Sequence, residues 1–163
     1  MLSNPFLNIL KWTLVFLLSF TTFNLFISGK IEASIEIEAP TELVYLKVAD
    51  LTTWSVWQKK DTTMSIVYSG QKIGLGAKMS WTAIDGNGSL EIVKANFSKD
   101  LKNELIFEGI HSSYHIWTFE KTNNGTKVTW SFQDELPFYV HFMQLFITPD
   151  LEEGLNGLKK LCE

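Results

Sequence analysis

Arginine is absent from the 163-residue chain, and all 14 basic side chains are lysines. A planar, bidentate guanidinium clamp on phosphate or carboxylate is therefore unavailable. Eighteen acids outnumber the lysines, the formal net charge is -4, and no basic patch forms. That argues against nucleic acid as a partner, because phosphate binding needs clustered cations. Cysteine is nearly missing as well. Cys162 stands alone, so an internal disulfide and a thiolate metal cluster are ruled out, and it lies too late to belong to a prenylation box. Gly70, Gly74 and Gly76 are not followed by a Lys-Ser/Thr pair and precede a strand pattern, which reads as a turn and not a phosphate loop. His111 and His115 stand four apart at a strand start, where that spacing spans about 13 Å, too far for one ion. No nucleophile has a base at a recognisable spacing, and repeats and low-complexity stretches are lacking. No metal or cofactor is expected. What is abundant is core material: 45% hydrophobic and 13% aromatic residues against only 20% charged ones, a balance that argues against disorder.

The longest apolar run is Phe6 to Ile27, whose only charge is Lys11 near its start. As a helix its length is about 33 Å, close to the hydrocarbon thickness of a bilayer. A retained anchor, a cleaved signal peptide and a buried helix compete for this segment. The anchor is favoured, because SGKIEAS offers no good small-x-small cleavage site. The expected division is residues 1–28 as a single-pass membrane anchor and 29–163 as the folded domain. Lys11 and the amino terminus on one side, against Lys30 on the other, weight the domain toward the extracytoplasmic side.

The remainder alternates with period two over several stretches, and so reads as strands. Ala33 to Glu38 is followed by Ala39-Pro40, by Thr41 as a helix cap, and by a helix over Glu42 to Ala49 with Leu43, Leu46 and Val48 inward. A short helical segment then carries Trp54 and Trp57. A meander follows: Met64 to Ser69, Ala77 to Ile84, a turn at Asp85-Gly86-Asn87-Gly88, Ser89 to Phe97, a polar turn over Ser98 to Asn103, Glu104 to Gly109, Tyr114 to Lys121, a turn at Asn123-Asn124-Gly125, and Lys127 to Gln133. The C-terminus changes to helical spacing. Pro137 to Ile147 is apolar, Pro149 is expected to kink or restart the helix, and Leu151, Leu155, Leu158 and Leu161 form a stripe.

The fold class expected is α+β, a curved antiparallel sheet of about seven strands around a long C-terminal helix, preceded by one transmembrane helix. The apolar face of such a sheet must be covered, and only the terminal helix is long enough to cover it. Candidate ligand-contacting residues in the space between them are Trp81, Phe107, His115, Trp117, Trp130 and Phe132 from strands, Trp54 and Trp57 at one mouth, and Phe142 and Phe146 from the helix. The tryptophans are either packing in a filled core or walls of a hollow one. Trp54 and Trp57 either gate the space or staple the short helices to the sheet. His115 and Tyr114 are the weak candidates for a catalytic acid or base; His141 reads as a packing residue.

The order of elements resembles the polyketide cyclase/dehydrase and lipid-transport superfamily, the START-like or Bet v 1-like helix-grip (SRPBCC) domains. IEIEAPTELVYLKVADLTTWSVWQ (Ile35 to Gln58), GLGAKMSWTA (Gly74 to Ala83), Gly154-Leu155 and GLKKLCE (Gly157 to Glu163) are similar to strings of one bacterial, often membrane-anchored branch. Gln58 departs from it, standing where the family pattern has proline. The resemblance covers Ile31 to Glu163 and implies a hydrophobic pocket, which favours the hollow reading. The function it implies is binding of a small hydrophobic ligand or lipid at a membrane, whether for transport or for sensing. The alternative is a cyclase, aromatase or dehydratase acting on a lipophile in the same space.

Overall fold

A computed structural model describes residues 5–26, 31–58, 63–84, 86–108, 112–133 and 137–163, with side chains described outside 23–26 and 137–143. His111 lies outside the described residues, as do the side chains of His141 and Phe142. The chain adopts the expected α+β helix-grip architecture. In order it forms α1 (Pro5–Phe26), β1 (Ile31–Ile37), α2 (Thr41–Ala49), a single helical turn over Leu51–Thr53, α3 (Trp54–Trp57), six strands, and α4 (Pro137–Cys162). The six strands are β2 (Ser65–Gly70), β3 (Ala77–Thr82), β4 (Gly88–Asn96), β5 (Asp100–Phe107), β6 (Ser113–Lys121) and β7 (Thr126–Gln133). All seven strands pair antiparallel in one curved sheet, ordered β1-β7-β6-β5-β4-β3-β2.

α1 supplies no residue to the buried core, and its described side chains from Pro5 to Thr22 are all exposed. It is long and apolar enough to cross a membrane. Its hydroxyls cost little in such a setting, because each donates to a carbonyl one turn back: Thr13 to Ile9 at 2.9 Å, Ser19 to Val15 at 2.8 Å and Thr22 to Leu18 at 2.8 Å.

Three local expectations are corrected. α2 turns Val44, Tyr45 and Val48 inward, while Leu43 and Leu46 are exposed. Thr41 is no cap. It is buried in the first helical turn, 3.1 Å from the Thr126 hydroxyl, which donates to the Ala39 carbonyl at 2.8 Å. That pair pins the start of β7 to the start of α2. The polar stretch ending at Asn103 is not all turn: the turn is confined to Phe97–Lys99, and Asn103 lies in the middle of β5. α4 is continuous from Pro137 to Cys162 with Pro149, the residue expected to kink or restart it, inside. Beyond that proline the leucine stripe is buried as its spacing requires, with Leu151, Leu155 and Leu158 in the core.

α4 runs along β1 toward the Ile37 end of the sheet. There Lys159 donates to the Glu36 carbonyl at 2.8 Å, and the Glu163 carboxylate accepts from the Glu38 N–H at 2.8 Å.

Candidate functional site

Directly opposed residues of an antiparallel pair share a face, so the inner face of the sheet can be followed in cross-strand rows. One row joins Leu101, Trp117, Trp130 and Ala33. The next joins Ile92, Asn103, His115, Phe132 and Ile31. Beyond it come Met79, Leu90, Leu105 and Ser113, and then Trp81, Gly88 and Phe107.

The first of these rows is solid. Trp117 and Trp130 stack with centroids 4.2 Å apart and planes 19° from parallel. Trp54 and Trp57 close over them edge-on, with all four centroid separations between 5.9 and 6.3 Å. These rings fill the space they occupy, so Trp54 and Trp57 are packed inside rather than ringing an open mouth. Two indole N–H groups fix α3 locally: Trp54 donates to the Val48 carbonyl at 2.9 Å and Trp57 to the Thr53 hydroxyl at 3.2 Å.

α4 seats on this cluster through two glycines. A Cβ at Gly154 would lie 2.8 Å from the Trp130 ring, and one at Gly157 would overlap the Trp57 carbonyl. Only residues without side chains allow so close an approach. Outside this seal a recess of about 580 Å³ lies between α3 and α4, lined by Trp57, Gln58, Pro149, Glu152, Asn156 and Lys160 among others. Its charged rim suits water better than a lipophile.

Away from the seal, toward the N-terminal half of α4, the packing loosens. Leu145 and Phe146 are 77% and 60% exposed, and Phe107 is 41% exposed while its ring meets Trp81 edge-on at 5.5 Å. Phe132 is half-buried and lies 5.5 Å from His115. The structure thus brings Trp81 and Phe107 together at the open end, and His115 and Phe132 together beside the seal. Tyr114 is not among them. It points to the outer face, where the Lys102 ammonium sits 3.6 Å over its ring.

His115 is neutral. Burial pushes its pKa down to about 4, and its Nδ1 accepts the Trp130 indole N–H at 3.2 Å. With Nδ1 engaged as an acceptor, the ring proton resides on Nε2.

Asn103, opposite His115, is not among the residues the sequence singles out. It is fully buried, and among the described residues neither of its amide atoms has a hydrogen-bond partner. A β-bulge between Ile92 and Lys94 interrupts β4 alongside it. Such bulges bend a strand and re-aim its side chains. The one available signal was an asparagine at inward parity in an alternating run, with Leu101, Leu105 and Phe107 on the same face.

The sequence matches the family model described as polyketide cyclase / dehydrase and lipid transport over residues 28–163. No curated protein matches it. Among solved structures, a protein from Staphylococcus epidermidis aligns with a TM-score of 0.66 at 15% identity, covering 83% of this chain and 90% of that one. CalU16 from Micromonospora echinospora aligns with a TM-score of 0.59 at 15% identity, covering 81% and 73%. DynU16, a protein in the dynemicin biosynthetic locus, aligns with a TM-score of 0.63 at 15% identity, covering 82% of this chain and 47% of its own. At such identities the structural likeness speaks for the fold alone, whereas the family model spans most of the chain. The protein belongs to the polyketide cyclase/dehydrase and lipid-transport family.

Proposed function

We propose that the protein binds a small hydrophobic ligand or lipid between the sheet and the N-terminal half of α4, and does so at a membrane to which α1 holds it. The observation that carries this reading is the uneven packing of α4. Its C-terminal half is locked onto four interlocked tryptophans, whereas Leu145 and Phe146 on its other half stay largely exposed. Exposed aromatic and aliphatic side chains are what an apolar ligand needs at the mouth of its site. A tether such as α1 would keep that mouth near the ligand's reservoir.

Acid–base turnover of the bound molecule would fall to His115. A base held near 4 is a weak proton acceptor at neutral pH, which favours binding over cyclase chemistry. Native mass spectrometry of the full chain purified in detergent, with extraction of what it carries, tests the reading. A small apolar molecule released on denaturation is expected; a chain that stays empty and takes up no apolar probe contradicts it. Alkaline washing of membranes tests the tether. The full chain should stay with the membrane, and a variant lacking residues 1–28 should be released.

A further inference from the structure

The inner face of the sheet holds polar groups that find no partner among the described residues. Asn103 is 0% exposed, and both its Oδ1 and its Nδ2 lack partners among the described residues. Buried amides are nearly always paired, since an unmade hydrogen bond leaves the full cost of desolvation. This one is no accident of a loop end. It sits in mid-strand, in register with Ile92 on one side and His115 on the other.

A second unused group adjoins it. The Trp117 indole N–H, on a ring that is 0% exposed, also lacks a partner among the described residues, although Trp54, Trp57 and Trp130 all place theirs. Trp117 lies two residues along β6 from His115 and is thus a diagonal neighbour of Asn103, at a Cβ separation of roughly 7–8 Å. His115 adds a third donor, because its Nδ1 is taken by Trp130 and its proton sits on Nε2. The combined set is one amide acceptor with amide, indole and imidazole donors.

We infer that Asn103, Trp117 and His115 form a recognition point for the uncharged oxygen of an otherwise apolar ligand, an alcohol or ketone lipid held oxygen-first against the tryptophan seal. The inference rests on the ligand-binding reading above and specifies the ligand's chemistry. A hydroxyl both accepts from the donors and donates to Oδ1; a ketone oxygen uses the donors alone. A carboxylate fits poorly. The neighbouring inward residues Ile92, Leu101 and Leu105 carry no charge, and an ionised group buried without a cation is strongly penalised.

The test uses the full chain immobilised from detergent, with tritiated hexadecane, 1-hexadecanol and hexadecanoate in a scintillation proximity assay, protein-free micelles being subtracted. The wild type should bind 1-hexadecanol about tenfold tighter than hexadecane, the worth of one well-made hydrogen bond, and tighter than hexadecanoate. Asn103→Leu should erase that preference, weakening hexadecanol about tenfold relative to hexadecane. If wild type and variant bind both probes without discrimination, Asn103 holds nothing but buried water and this inference is overturned while ligand binding stands. If hexadecanoate binds tightest, the ligand is an anion and the inference is likewise overturned. If the wild type binds none of the three, the ligand-binding reading itself fails, and this inference with it.

Discussion

Replacing Asn103 by leucine should make the unliganded protein more stable, and the sign of that effect is diagnostic. Asparagine and leucine side chains have the same number of heavy atoms and a similar branched shape, so the strand and its neighbours need not move. The substitution removes two buried polar atoms without partners, and each unsatisfied group costs roughly 1–3 kcal/mol. It places an apolar side chain among Ile92, Leu101 and Leu105, all within 9% of full burial, and it replaces a residue disfavoured in strands. A conservative sum is a gain of about 1–3 kcal/mol. For a domain of this size roughly 4 °C of melting temperature accompanies each kcal/mol, so a rise of about 4–12 °C is expected. Thermal unfolding followed by circular dichroism on delipidated wild type and variant measures it. A fall in melting temperature would refute the reasoning, because it would mean that the amide serves the fold through hydrogen bonds of its own. Excess 1-hexadecanol should narrow the gap by stabilising the wild type more than the variant.

Two further consequences follow from the packing and the electrostatics. Gly157→Ala forces a methyl group into the Trp57 carbonyl, an overlap costing roughly 1–3 kcal/mol, offset in part by the ~1 kcal/mol that alanine gains over glycine within a helix. A lower urea midpoint is expected, and an unchanged or higher one would show that α4 is not seated on α3 as described. The depressed pKa of His115 predicts a pH dependence. The unfolded chain binds the proton near 6.5 and the folded one only near 4, so stability is fully present above 6.5 and is lost as pH falls toward 4. The slope is at most about 1.4 kcal/mol per pH unit and the total loss about 3 kcal/mol. Asp100 and Glu163 are held low by hydrogen bonds from Asn96 and from the Glu38 N–H, and act only below their ordinary values of 3.8 and 4.5. Denaturant titrations across pH 5 to 6.5, above the range where Glu163 and Asp100 act, should therefore flatten in His115→Phe; an unchanged slope would assign the loss to other groups.

The sheet was legible because its strands alternate cleanly and its hairpins are marked by glycine and asparagine. The same alternation placed His115, Trp117 and Phe119 on one face, as the cross-strand pairing confirms. What periodicity could not show was whether inward rings fill a space or surround one. Trp54 and Trp57 become packing because α3 lays them across the stacked Trp117 and Trp130, a tertiary contact with no sequence spacing of its own. Asn103 was hidden for a related reason. A polar residue after Ser98 and Lys99 looks like more turn, and only the register of β5 against β4 and β6 reveals it as an inward position. In α2, Leu43, Val44, Tyr45, Leu46 and Val48 fall on more than one face, so apolar spacing did not single out the buried one, which carries Val44, Tyr45 and Val48.

The siting of the ligand beside, and not within, the tryptophan seal can be measured directly from the indole N–H resonances of the six tryptophans in nitrogen-labelled full chain. On addition of 1-hexadecanol the Trp117 signal should move as its unpartnered N–H gains an acceptor, while those of Trp54 and Trp57, already donated at 2.9 and 3.2 Å, should hold their positions. A Trp117 resonance that stays fixed through saturation, or four seal resonances moving together, would contradict the account.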